Sequence, residues 1–215
     1  MAEPVLKRPR IFLLSPAYAG GERGAMLLRE RAAFELATRL RNEGAPLGEV
    51  FAFISGLYFR GKLAYAQAFA APPEGIPASF VITAGLGLIP PETKITMAHM
   101  HSIVAVPIDA GDARYRDPLE RDCRAIDELA GPECEYILLG SVASVKYLEP
   151  LAGVFGARLL FPEEFVGRGD MSRGGLMLRC ARAGVELTYV PLGNETRHGK
   201  RPPKLPRLPR NPQPQ

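Results

Sequence analysis

The chain has 215 residues, 47% of them hydrophobic, which favours one globular domain with a sizeable core. No apolar stretch reaches the about 18 residues of a membrane span, and the first apolar run, residues 11–14, is too short for a signal peptide. We therefore expect a cytoplasmic protein with no membrane partner. Its cysteines (Cys123, Cys134 and Cys180) show no paired metal or redox spacing, so we expect reduced thiols and no cofactor.

The net charge of +4 is unevenly distributed along the chain. No acidic residue follows Glu195, whereas six basic residues do: Arg197, Lys200, Arg201, Lys204, Arg207 and Arg210. Removing these six positive charges from +4 leaves −2 for the preceding part. Six prolines after residue 201 disfavour regular secondary structure. We therefore predict an α/β domain over residues 1–195 and a disordered basic tail over 196–215, which could contact DNA or a protein partner.

Apolar runs alternate with helical patterns through the predicted domain. In chain order, the pattern predicts a strand at 11–14, helices at 25–41 and 57–70, a strand at 80–83, a short strand or extended loop at 103–106, a helix at 118–130, a strand at 136–139, a helix at 141–156 interrupted at Pro150, a strand at 158–161, a helix at 172–183 and a strand at 186–190. Asp117 is the expected N-cap of its helix, and Gly184 the expected stop of the last helix. The alternation predicts a single α/β domain with a mainly parallel central sheet and helices on both faces.

In an open parallel sheet, ligands bind beyond the carboxyl ends of the strands. The loop at residues 15–24 is rich in glycine and leads into a helix, so its backbone N–H groups could hold a phosphate or a base carbonyl. Glycines in the loop at 84–91 permit close approach of a ligand to the backbone. Plain connections explain both loops equally well, and Ser141 after the third long strand is explained by a helix cap.

The loop at residues 162–175 combines four glycines, two arginines, three acids and a serine directly before a helix. On one interpretation Asp170 or Ser172 caps that helix. On the other, Asp170 is an active-site carboxylate while Arg168 and Arg173 hold phosphates. The two interpretations are compatible.

Two further segments carry candidate binding residues. Tyr58 and Phe59 could stack on a base with Arg60 and Lys62 on the nucleic-acid backbone, or they could form a helix start with core aromatics and a solvated basic face. If His99 and His101 lay in a strand, their side chains would share a face and could share a metal. No third ligand is evident, so we expect no metal site.

Three short segments resemble the uracil-DNA-glycosylase-like superfamily, in particular proteins related to the bacterial peroxide-stress protein and to an archaeosine-synthase domain. They are IFLLSP at 11–16, LYFR at 57–60 with AYA at 64–66, and VITAGLGLIP at 81–90. Those proteins often carry Ser-Ala-Lys-Tyr-Gly-Leu where residues 83–88 read TAGLGL, so the roles of that lysine and aromatic residue do not transfer. The water-activating and histidine motifs of the best-known uracil enzymes are also absent. A divergent antiphage DNA glycosylase that excises bulky modified cytosines would suit these departures.

The resemblance implies cleavage of an N-glycosidic bond, in which a carboxylate stabilises positive charge on the sugar or activates water. Asp170 is the first choice for that carboxylate, with Glu163 and Glu164 as substitutes, and Ser15 would donate to the leaving base. A base flipped from the stack would be received by a base-binding set: Ala17, Tyr18, Tyr58 and Gly85. The expected DNA-phosphate contacts are Arg60, Lys62, Arg168, Ser172 and Arg173.

Three alternatives stay open from the sequence. Lys62, Lys94 or Lys146 could act as an amine nucleophile and give lyase activity. The protein could instead be a base-exchanging transferase or a nucleotide-processing enzyme, which would need a second substrate. It could also be a non-catalytic DNA-binding module.

Overall fold

Residues 8–141, 145–192, 199–200 and 202–206 are described by the computed structural model of the protein. The strands are β1 Arg10–Leu14, β2 Ala45–Pro46, β3 Ser79–Thr83, β4 Gly87–Ile89, β5 Lys94–Ile95, β6 Glu135–Leu139, β7 Leu159–Pro162 and β8 Tyr189–Pro191. The helices are α1 Glu22–Leu28, α2 Glu35–Asn42, α3 Leu47–Ser55, α4 Leu57–Phe69, α5 Met97–Ala105, α6 Ala113–Ala130, α7 Val145–Phe155 and α8 Asp170–Ala183. Short 3-10 turns span Gly156–Arg158 and Glu163–Phe165.

The central sheet has six strands in the order β4-β3-β1-β6-β7-β8. Its four inner strands run parallel, while β4 and β8 pair antiparallel at the two edges. All five residues of the central strand β1 are buried, which is why residues 11–14 read as one continuous apolar run. The α/β class and the mainly parallel sheet predicted from the sequence are confirmed.

Helices cover both faces of the sheet. Phe12 of β1 meets the ring of Tyr65 on α4 edge-on, with centroids 5.8 Å apart. Ile11 of β1 and Tyr136 of β6 are paired across the two strands. Their side chains lie on the opposite face of the sheet from Phe12, because side chains alternate along a strand. Tyr136 stacks on Phe155 of α7 at 3.8 Å. Thus α4, packed with α8, lies on one face, and α7, packed with α6, lies on the other.

Helices α4 and α8 cross with their backbones in direct contact at two glycines. A Cβ atom on Gly61 would lie 2.7 Å from the carbonyl oxygen of Gly174. A Cβ atom on Gly174 would lie 2.7 Å from the Cα of Tyr58. This close crossing brings the first turn of α8 beside the first turns of α4.

The strand order creates a crevice between the carboxyl ends of β1 and β6. The chain leaves β1 towards β3 and leaves β6 towards β7, so the two connections diverge from neighbouring strands. Ligand sites of open α/β sheets lie at such switch points. Here the N–H of Ser15 bonds to the carbonyl oxygen of Leu139 at 3.2 Å, and a Cβ atom on Gly140 would lie 2.8 Å from that of Ser15.

The structure corrects several predicted elements. The helix expected over 25–41 is two helices, α1 and α2, because the chain turns at residues 29–34 and Phe34 stacks on Phe53 of α3 at 5.2 Å. Helix α3 itself and the short strands β2, β4 and β5 were not predicted. Residues 103–106 belong to the end of α5 and the residue after it, not to a strand.

The predicted positions of caps and paired histidines also change. Asp112, not Asp117, caps α6, accepting from the N–H of Arg114 at 2.9 Å. Pro150 lies inside α7 without ending it. His99 and His101 lie on helix α5, where residues two apart do not share a face, so the condition for a shared metal, a strand, is not met.

Gly184 ends α8 in the left-handed conformation, with φ 64°, as predicted. The described part of the tail, residues 199–200 and 202–206, contains no helix or strand. Residues 193–198, 201 and 207–215 lie outside the described residues, so disorder there stays a prediction. Residues 199–200 and 202–206, by contrast, pack beside Gly167, Gly175 and Arg179. Among the described helices, none has the length and apolar character needed to cross a membrane.

Candidate functional site

Lys62 of α4 lies at the centre of a polar cluster in the interior. Its side chain is completely buried, and its Nζ lies 2.9 Å from the carbonyl oxygen and 2.7 Å from the Oγ of Ser15. Burial lowers the pKa of Lys62 to about 7; the charge of Asp170 opposes that shift and the charge of Arg173 adds to it. A buried lysine cannot make the surface contact with a DNA phosphate expected from the sequence, and that prediction is wrong.

Two tyrosines border the Ser15–Lys62 pair. The Nζ of Lys62 lies 4.0 Å from the ring centre of Tyr58, and the buried hydroxyl of Tyr58 has no hydrogen-bond partner among the described residues. Burial raises the pKa of Tyr58. Since Tyr58 is 5% exposed, it is a core aromatic, the alternative for this segment, and not the open stacking surface of the base-binding prediction.

Tyr147 of α7 approaches Ser15 from the other side of the crevice. Its hydroxyl donates to the carbonyl oxygen of Ser141 at 2.8 Å. Burial raises the pKa of Tyr147, while hydrogen bonds with Ser141 and Ser15 lower it. Sequence reasoning missed Tyr147, because nothing in the pattern of α7 distinguishes it from an ordinary core tyrosine.

The first turn of α8 places a carboxylate at the rim of the cluster. Gly169 is the N-cap, without a side-chain cap bond, so neither Asp170 nor Ser172 caps the helix. The Nη1 of Arg173 lies 3.4 Å from the Oδ1 of Asp170, whose side chain is 63% exposed. Arg173 is buried, and its Nε and Nη2 donate to the carbonyl oxygen of Phe165. Arg173 therefore positions Asp170 and is not the exposed phosphate contact expected.

An open cavity of about 430 Å³ adjoins this cluster. It begins at Pro16, directly after Ser15, and its wall includes Ala17 and Tyr18, two of the residues expected to bind a base. The ring of Tyr18 is 73% exposed and folds over two glycines. The remaining lining comes from Ala19, Gly20, Ala84, residues 103–108 and Lys146.

Gly85 lies behind this cavity. Its φ is +80°, and a Cβ atom there would lie 2.9 Å from Val106, a residue that lines the cavity. Gly85 thus lets the turn after β3 pack closely against the wall, and it is not itself a lining residue.

The other predicted residues lie outside the cluster. Glu163 is exposed in the 3-10 turn after β7, where its N–H bonds to the carbonyl oxygen of Thr188. Arg60 is exposed on α4. Arg168 donates from Nε to the carbonyl oxygen of Glu164 at 2.9 Å and from Nη1 to the Oγ of Ser172 at 3.3 Å. Glu163 follows β7, and β6 lies between β7 and the strand β1 that precedes Ser15.

Among the residues that the structure describes, no group of three or more His, Cys, Asp or Glu side chains could hold a metal ion. No model of a known protein family, no curated protein and no solved structure matches the chain.

Proposed function

We propose that the protein is a DNA glycosylase that hydrolyses the N-glycosidic bond of a modified base. The observation that carries this proposal is the buried Ser15–Lys62 pair at the sheet's switch point, next to a cavity with an exposed tyrosine at its wall. Proton-transfer groups with shifted pKa values in such a crevice are a common mark of active sites.

Departure of the base requires stabilisation of the negative charge that develops on it. In the proposed mechanism the Ser15 hydroxyl donates its hydrogen to the leaving base while the Lys62 ammonium donates to the Ser15 Oγ. A pKa of about 7 for Lys62 suits this role, since an acid near the working pH can both give and regain its proton. The amine of Lys62 is fully buried behind Ser15. In the proposed mechanism it therefore does not contact the sugar.

Asp170 has the complementary role at the sugar. Cleavage of an N-glycosidic bond builds positive charge on the sugar, which a nearby carboxylate stabilises. The carboxylate of Asp170 is exposed and is held by Arg173 from inside. Exposure leaves it free to approach a substrate or a water molecule.

The cavity and the resembling segments support a nucleobase as the substrate. A volume of about 430 Å³ is within the usual range for small-molecule sites, roughly 300–1,000 Å³. Tyr18 offers a flat face on which a base extruded from the stack could lie. The segments that resemble the uracil-DNA-glycosylase-like proteins form β1, α4 and the β3–β4 hairpin, and we propose the same fold family on that basis.

The proposal is tested by incubating the protein with genomic DNAs that carry different base modifications, phage DNAs first, followed by alkaline cleavage at abasic sites. We expect breaks in at least one modified DNA and a loss of at least about 100-fold in rate for Ser15→Ala and for Asp170→Asn. Asp117→Asn, an equivalent change at an exposed residue of α6, should keep full activity. Binding without abasic sites in every DNA tested would assign the protein to non-catalytic DNA recognition, and full activity of Asp170→Asn would refute the role of Asp170.

A further inference from the structure

A second cavity, of about 320 Å³, lies between the N-terminal half of α8 and the described part of the tail. We call it the α8–tail cavity. Its wall is formed by Leu57, Arg168, Gly169, Met171, Ser172, Gly175, Arg179 and residues 202–205. It is thus built from segments that are distant in sequence.

All the charged residues that line this cavity are basic. Arg168, Arg179 and Lys204 line it, and none of its lining residues is acidic. The first turn of α8 has no side-chain cap, so its free N–H groups add partial positive charge. The acidic residue of that turn, Asp170, is paired with Arg173. Lys204 forms no ion pair with any acidic residue that the structure describes. A small anion is therefore the ligand that the cavity would bind most favourably.

The tail is held in place on one side of the cavity. A Cβ atom at Gly167 would overlap the carbonyl oxygen of Lys200, so the tail backbone passes directly over this glycine. Arg179 donates to the carbonyl oxygen of Pro206, and the side chain of Leu205 lies near Gly175. Prolines in this segment reduce its freedom. Lys204 is consequently kept opposite α8.

On the α8 side, hydrogen bonds hold Arg168 and Ser172 next to each other at the cavity wall. The guanidinium of Arg168 is held through its Nε by the carbonyl oxygen of Glu164. Its Nη1 donates to the Oγ of Ser172, which leaves the hydroxyl hydrogen of Ser172 to be donated elsewhere. An arginine, a hydroxyl and a lysine around one space form a typical set of donors for phosphate oxygens.

We propose that the α8–tail cavity binds a backbone phosphate of the nucleic-acid strand on which the enzyme acts. This inference depends on the proposed function only for the identity of the strand as DNA. Gly169 and Met171, the two neighbours of Asp170, both line the cavity. A phosphate bound there would therefore lie near the carboxylate that acts on the sugar, and it would fix the register of the strand.

Lys204 and Lys200 form a matched pair for the test. Both are exposed lysines of the tail, but only Lys204 lines the cavity. Binding of an unmodified, fluorescently labelled single-stranded oligonucleotide is measured by anisotropy over a range of salt concentrations. We expect Lys204→Gln to weaken binding about three- to tenfold and to lower the slope of affinity against salt by about one phosphate contact. Lys200→Gln should leave both the affinity and the salt slope nearly unchanged.

Replacing single phosphates of the oligonucleotide by uncharged methylphosphonates locates the contact. One position should weaken binding to the wild type more than it weakens binding to Lys204→Gln, in which Arg168, Arg179 and Ser172 still line the cavity. Equal effects of the two lysine variants, or the lack of such a position, would overturn the proposal. If inorganic phosphate stabilises the wild type but not Lys204→Gln, while DNA binding is the same in both, the cavity serves a free phosphate and the DNA assignment is wrong.

These outcomes are separable from those of the proposed function. The oligonucleotide carries no base to be excised, so the measurement does not depend on Ser15 or Lys62. Absence of excision together with a specific effect of Lys204→Gln would reject the glycosylase and retain the phosphate site. Excision without that effect would reject the phosphate site alone.

Discussion

At the scale of single residues, Lys62 determines how the site responds to pH. Its pKa is lowered by burial to about 7, whereas a lysine in the unfolded chain titrates near pH 10.4. Between these values the unfolded chain binds more protons than the native protein, so stability rises with pH in this window. Below about pH 7 Lys62 is charged and buried in the native state, so its full cost to the free energy of unfolding is present.

Replacing Lys62 tests this linkage directly. We expect the difference in free energy of unfolding between Lys62→Met and the wild type to shift in favour of the wild type as the pH rises from about 7 to 10. The full shift corresponds to about 5 kcal/mol at 1.36 kcal/mol per pKa unit. Urea unfolding at several pH values measures it, with Lys94→Met, at an exposed lysine of β5, as a control that should show no such trend. A constant difference across this range would contradict the lowered pKa.

The same residue predicts the direction of the pH–rate profile. If protonated Lys62 supports donation from Ser15 to the leaving base, the excision rate should fall about tenfold per pH unit above about pH 7. Single-turnover rates at saturating DNA isolate this chemical step. A rate that instead rises through pH 7 would mean that the neutral amine is the active form, and the proposed relay would be wrong.

At the scale of elements, the site depends on the crossing of α4 and α8. Gly61 and Gly174 allow backbone contact, and a Cβ atom at either position would lie within 3 Å of backbone atoms. Backbone cannot move aside as a flexible side chain can, so overpacking here separates the helices. The positions of Arg173 and Asp170 relative to Lys62 would change with them.

We expect Gly174→Ala to destabilise the protein by about 1–3 kcal/mol and to reduce excision. Gly175→Ala is the matched control on the same helix, since its Cβ atom would meet only Leu205 at an ordinary 3.6 Å. Alanine is the better helix former, so that variant should be neutral or more stable by up to about 1 kcal/mol. Thermal unfolding of the two variants measures the difference, and equal stability would show that the crossing tolerates a side chain.

The same crossing explains which parts of the site were accessible to sequence reasoning. The buried run of β1 and the rule for parallel sheets were enough to place Ser15, Ala17 and Tyr18 at the carboxyl edge. The burial of Lys62 was not predictable, because it is caused by α8, which is distant in sequence. The burial of Tyr58 matches the alternative of core aromatics at the start of α4. Apolar spacing likewise continued through residues 29–34, where only the packing of Phe34 on Phe53 reveals the turn between α1 and α2.

At the scale of the whole molecule, the excess positive charge lies in a different part of the chain from the polar cluster around Lys62. The residues before the tail carry a net charge of −2 by sequence, whereas six basic residues follow Glu195. The cluster around Lys62 lies in the interior of the acidic part. If the proposed function is correct, long-range attraction of DNA would be the role of the tail, and selection of the base would be the role of the cavity beside Tyr18.

Deleting residues 197–215 should separate these two contributions. DNA binding should weaken and its salt dependence should become shallower than in Lys204→Gln, because several phosphate contacts are lost together and fewer counterions are released. The excision rate at saturating DNA should change little, since contacts with phosphates stabilise the bound substrate and the transition state alike and act on KM. As salt rises, the affinities of the full-length and shortened proteins should converge. A shortened protein that unfolds at the same temperature, binds DNA as before and keeps the salt slope of the full chain would instead assign the tail to a protein partner, and the acidic domain would then need its own surface for DNA.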